Sequence, residues 1–153
     1  MPRSHRRKRT PVQSDQLGSR GLATRERLKA AAGRVLARKA YSQMTVADVT
    51  QEAGVATRLF HRYFPDLQTL TMELADEVLD ELGNTAAVEQ DVARGDWMGR
   101  IHSHIALSVA NYAQRPGLVR AMNQLADESP AFRARLRGFY QSQLELLAAQ
   151  MPR

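Results

Sequence analysis

Apolar residues fall into helical rows along most of this chain. Leu28, Ala31, Ala32, Val35 and Leu36 recur at i, i+3, i+4, i+7 and i+8, which predicts a helix from a Thr24 cap to about Lys39 with one buried stripe. Val46, Val49, Thr50 and Ala53 make a shorter stripe. Thr45 precedes it and Asp48 stands three residues on, a capping-box pattern at the start of a helix. Gly54 closes that helix, because the residue after a helix end often needs the left-handed conformation that glycine adopts freely. A second short helix then starts near Ala56 and buries Leu59 or Phe60 together with Phe64, while Tyr41 and Met44 pack beneath the pair. After Pro65, Asp66 caps a fourth helix whose inner side carries Leu67, Leu70, Leu74, Val78 and Leu82, and Gly83-Asn84 ends it.

The second half is less regular. Trp97, Ile101, Ile105, Val109 and Tyr112 mark a helix over 96–113. Pro116 suits the first turn of a short helix with Leu118, Met122 and Leu125. Ser129-Pro130 is a hydroxyl cap followed by proline at the first helical position, and it opens a helix carrying Phe132, Leu136, Phe139, Tyr140, Gln143 and Leu147. The reading is all-α.

Chemistry concentrates in 45–64. Thr57, Arg58, His61 and Arg62 lie on the face of the second short helix opposite its apolar side. Two cations and two hydrogen-bonding groups on one narrow face suit a helix entering a DNA major groove. The same pattern also fits an ordinary helical hairpin with a solvated basic face. Charge separates along the chain. From Met1 to Phe64 there are 14 Lys/Arg against 4 Asp/Glu, a balance of +10; from Pro65 on there are 8 against 12, a balance of −4. A polyanion partner accounts for such asymmetry through counterion release. Met1 to Gly21 is polar and basic, with no apolar periodicity, and reads as a disordered arm. Its run Arg6, Arg7, Lys8, Arg9 either tracks phosphates or is a solvated tail.

The order of these pieces resembles the N-terminal domain of TetR-type (tetracycline-repressor-like) transcriptional regulators over Thr24 to Leu82. The likeness rests on TRERLKAAAGRVLARKAY, then TVADVTQEAGV, then FHRYFPDLQTL. It implies a three-helix helix-turn-helix DNA-binding domain over 22–82, with the reading pair at 45–64, and a shortened helical ligand and dimerisation domain over 85–153. It also implies double-stranded DNA with a palindromic operator as partner, a homodimer, and control by a small-molecule effector. Thr57, Arg58, His61 and Arg62 would then meet bases or phosphates, Thr45 would anchor its helix on a phosphate, and Arg25 or Arg27 on the first helix would approach the backbone. The fourth helix would transmit effector binding to the reading heads.

An effector pocket of such a regulator lies among the later helices, where Trp97, Ile105, Tyr112, Met122, Phe139 and Tyr140 are the candidates, with His104 or Gln143 as polar anchors. Aromatic residues and methionines at helical spacing equally suit a plain core. The sequence departs from the family at Ala56, Leu59 and Leu67, where a small hydroxyl residue, a threonine and a lysine are usual. It also stops at Arg153, where relatives continue for two more helices. A shortened regulator that binds nucleic acid without sequence choice is therefore the alternative.

Other chemistry finds little support. His102 and His104 are two apart on a helix and point roughly 200° from each other, so they do not share a metal ion. No nucleophile and base stand in a catalytic pattern, the nearest glycine-rich stretch (Gly18 to Gly21) leads into no strand, and no cofactor is expected. No apolar run approaches a membrane span, and cysteine is absent, which is compatible with a reducing cytoplasm, the expected location.

Overall fold

A computed structural model describes residues 11–12, 17–84 and 95–151, and every described element is helical. The elements are α1 (Ser19–Leu36), a 3-10 turn (Tyr41–Gln43), α2 (Val46–Ala53), α3 (Thr57–Tyr63), α4 (Leu67–Gly83), α5 (Trp97–Gln114), α6 (Pro116–Glu128) and α7 (Pro130–Gln150). The chain divides into two compact units, and the division falls after Thr71, inside α4. The expectations for Arg6, Arg7, Lys8 and Arg9 lie outside the described residues.

In the first unit α1 packs on α2 and α2 on α3. The stripe of α1 is buried as its spacing requires: Leu28, Ala31, Ala32, Val35 and Leu36 are all withdrawn from solvent. Across from it lie Met44, Val49, Thr50 and Ala53, then Phe60, Tyr63 and Phe64. Of the two candidates in the second short helix, Phe60 is the core residue and Leu59 is half-buried. Burial of each phenylalanine stabilises by roughly 1.5–3 kcal/mol.

Two expectations about α1 are corrected. The helix begins at Ser19, not Thr24, with Gly18 in extended conformation as its cap residue. Thr24 sits inside the helix, where its hydroxyl donates to the Arg20 carbonyl at 3.0 Å. A threonine one turn into a helix satisfies its hydroxyl by bonding back, so cap chemistry alone does not mark a helix start. The helix also ends at Leu36, short of the expected Lys39.

The second unit gathers the rest of α4 with α5, α6 and α7. Asp96 accepts from the Gly99 N–H at 2.8 Å, Pro116 opens α6, and Ser129 accepts from the Phe132 N–H at 3.3 Å. Its core is Val78, Leu79, Leu82, Leu118, Ala121, Met122, Leu125, Phe132 and Leu136. Arg135 of α7 binds Asp76 at 2.9 Å and Asp80 at 3.1 Å, and Arg115 binds Glu81 at 2.8 Å, so α4 is ion-paired to its neighbours in this unit. The apolar row expected inside α5 is corrected too. Ile105 and Val109 are 50% and 61% exposed, and the buried residue of that helix is His104.

Candidate nucleic-acid interface

The reading pair is assembled by local chemistry legible in its residues. Thr45 and Asp48 close a reciprocal cap: the Thr45 N–H and hydroxyl each donate to Asp48 Oδ2 at 2.8 Å, and the Asp48 N–H donates to Thr45 Oγ1 at 3.1 Å. Lys39 adds a third donor to the same carboxylate at 2.8 Å. The Lys39 ammonium and the Thr45 donors together hold the Asp48 carboxyl at about 2, below the ordinary carboxylate value. At the other end of α2, Gly54 adopts φ 64° and ψ 39°, the left-handed turn that lets α3 leave at an angle.

Arg27 fixes that turn from outside. Its Nη2 donates to the Ala53 carbonyl at 2.7 Å, placing a cation at the negative end of α2. Arg34 binds Glu52 at 2.7 Å and Arg38 binds the other oxygen of the same carboxylate. These guanidinium groups lower the Glu52 pKa. The ion pairs clasp α1 to α2, and a polar groove of about 430 Å³ runs between them, lined by Val35, Arg38, Lys39, Asp48, Gln51 and Glu52. Its charges already pair with one another.

On α3 the two faces separate cleanly. Phe60, Tyr63 and Phe64 are buried, whereas Thr57, Arg58, His61 and Arg62 are all exposed. Among the described residues no ion pair engages Arg58 or Arg62. The Arg62 guanidinium lies 5.9 Å from the Tyr63 ring and His61 stands edge-on to Phe60 at 5.3 Å. Thr57 opens the helix, and its hydroxyl oxygen is 3.2 Å from that of Thr50 on α2. The Val12 N–H donates to the Arg62 carbonyl at 3.0 Å and so closes one of the open carbonyls at the end of α3.

Sequence reasoning missed that contact, since nothing in a Pro-Val dipeptide indicates its partner. It named Arg27 as a residue near the DNA backbone but missed its bond to the Ala53 carbonyl, 26 positions away. Arg25 lies against the aromatic core of the reading pair. Its guanidinium stacks over the Phe64 ring at 4.6 Å. Thr45 is exposed, but its hydroxyl proton is directed to Asp48.

The six effector-pocket candidates sit in unlike surroundings. Met122 is buried, Trp97, Tyr112 and Phe139 are half-buried, and Ile105 and Tyr140 are about 50% and 47% exposed. Burial raises the Tyr112 phenol above its ordinary range, and a hydrogen bond with Tyr140 adds to it. The Phe139 and Tyr140 rings meet at 5.6 Å. His104 is buried on α5 while His102 is exposed. Among the described residues no helix is long and apolar enough to cross a membrane.

Two comparisons with known proteins bear on this chain. Residues 28–74 match the model of bacterial regulatory proteins of the tetR family, a span that holds the second half of α1, all of α2 and α3, and the start of α4. The chain is also 27% identical over 122 residues to the HTH-type transcriptional regulator EthR of Mycolicibacterium smegmatis, an alignment covering 78% of this chain and 55% of that protein. The chain thus spans about half the length of this relative.

Proposed function

The chain carries a helix-turn-helix domain of the tetR family, and from that premise we propose that it is a sequence-specific DNA-binding transcription regulator. The observation that carries the reading is the division of α3: three aromatic rings inward, and Thr57, Arg58, His61 and Arg62 outward. A short helix fixed this way offers its polar side chains to base edges without moving its core. Arg58 and Arg62 meet guanine edges or phosphates, His61 a phosphate or base, and the start of α2 at Thr45 a backbone phosphate. The first half's balance of +10 supplies attraction independent of sequence.

The finer reading is a repressor that binds a palindromic operator as a homodimer and is released by a small molecule held in the second unit. Met122, Phe139 and the Tyr112–Tyr140 pair are the groups there that combine apolar surface with hydroxyls. Gel shifts of the purified chain on genomic fragments test the core of the proposal. Discrete retained fragments are expected. Uniform smearing of every fragment would instead identify a nucleic-acid binder without sequence choice, as Ala56, Leu59 and Leu67 in place of the family's usual polar residues would suggest.

A further inference from the structure

The hydroxyl pair across the helix-turn-helix fixes the direction of a proton. Thr50 is 1% exposed, and its Oγ1 lies 2.9 Å from the Val46 carbonyl and 3.2 Å from Thr57 Oγ1. A carbonyl only accepts, and each hydroxyl has one proton. If Thr50 donated to Thr57, the shorter contact would set two acceptors against each other with no proton between them. Thr50 therefore donates to Val46, and Thr57 donates to Thr50. One chain of bonds then satisfies both contacts, running from the exposed hydroxyl into the helix.

The consequence lies on the outer side. Thr57 is the first residue of α3, and first-turn residues of a reading helix are the ones that reach base edges. With its proton turned inward, Thr57 presents lone pairs alone. Phosphate oxygens, guanine O6 and N7, and thymine O4 are all acceptors and repel it, whereas the exocyclic amino groups of cytosine N4 and adenine N6 are donors. We propose that Thr57 is an acceptor-only reader, oriented by Thr50, that selects an exocyclic amino group of cytosine or adenine at one position of each DNA half-site. Thr50 is a positioning residue: buried, off the DNA, and acting through the proton it receives. The inference rests on the DNA-binding reading above.

The test is selection of binding sites from a fully randomised duplex library by the full chain and by Thr57→Val, Thr57→Ser and Thr50→Val. The parent motif is expected to hold adenine or cytosine at one half-site position, and Thr57→Val to lower discrimination at that position alone by roughly three- to tenfold, the worth of one neutral hydrogen bond. Thr57→Ser keeps the oxygen and the preference. Thr50→Val is isosteric but accepts nothing, so the Thr57 proton turns outward and the position shifts toward guanine or thymine by a similar factor. A parent preference for guanine or thymine there overturns the proposal. So does a Thr57→Val motif unchanged at every position, or a Thr50→Val protein with parental thermal unfolding and parental base preference. Should Thr50→Val not fold, the two Thr57 variants decide alone. A parent that selects no motif fails the DNA-binding reading itself, a result distinct from a motif that ignores Thr57.

Discussion

Arg27 and Arg58 are cations of the same kind with different tasks. Arg27 donates into the Ala53 carbonyl, whereas Arg58 is exposed on the outer face of α3. Arg58→Ala should therefore remove about 1–3 kcal/mol of discrimination at one base pair while leaving thermal stability unchanged. Arg27→Ala should destabilise by about 1 kcal/mol and weaken binding to all sequences alike, without altering the salt slope. Titrations at several salt concentrations separate them, since loss of a phosphate contact flattens the slope by roughly 0.9. A flattened slope for Arg27→Ala would make it a phosphate ligand after all. Pattern reading placed Arg58 and Arg62 on the outer face of α3, where both are exposed, because apolar periodicity defines a face and its opposite. It did not find the role of Arg27 or the stacking of Arg25 on Phe64, because a charge's partner across the fold leaves no periodic trace.

At the scale of elements, α2 depends on its two ends. Gly54 holds a positive φ, and a Cβ there costs about 1–2 kcal/mol in left-handed backbone. Gly54→Ala should lower stability by about that amount in urea titrations. A variant as stable as the parent would mean the turn relaxes freely. At the other end, the Asp48 pKa is depressed to about 2 from an ordinary value of 3.8. A depressed carboxylate contributes stability that is present above the unfolded pKa and lost as pH falls through the folded one. The parent should thus exceed Asp48→Asn in stability above about pH 4, and the difference should fade toward pH 2, followed by helical circular dichroism. A gap unchanged at pH 2 would assign it to something other than the charge. Both ends were legible because capping chemistry is local. The start of α1 was not, since Gly18 and Gly21 read as breakers and Thr24 as a cap, while the helix runs through the latter two. In α5 the row Trp97, Ile101, Ile105, Val109 competed with the row through His104, and periodicity alone does not say which face turns inward.

For the molecule as a whole, the question is what covers the apolar surface of the second unit. Tyr140, Leu144 and Met151 stand 47%, 67% and 53% exposed along the end of α7, with half-buried Leu147 completing a row at spacings of four, three and four. Met98, Ile105 and Val109 add exposed apolar area on α5. Exposed apolar side chains carry the same sequence signature as side chains that meet their own core, which is why Ile105 and Tyr140 read as pocket or interior. Contiguous exposed apolar rows of this kind mark association surfaces. A palindromic site draws most of its affinity from two reading helices about one DNA turn apart, so self-association through this unit would set the function of the other. Leu144 is the least covered of the row, and Leu144→Glu places a charge in that surface without touching the core. We expect the parent to scatter light as a dimer, and the variant as a monomer with parental helix content. The variant should then bind a full palindrome at least roughly tenfold more weakly and a single half-site with parental affinity. A parent that remains monomeric with and without DNA would remove the symmetric dimer. A variant that dimerises as well as the parent would move the interface away from the end of α7.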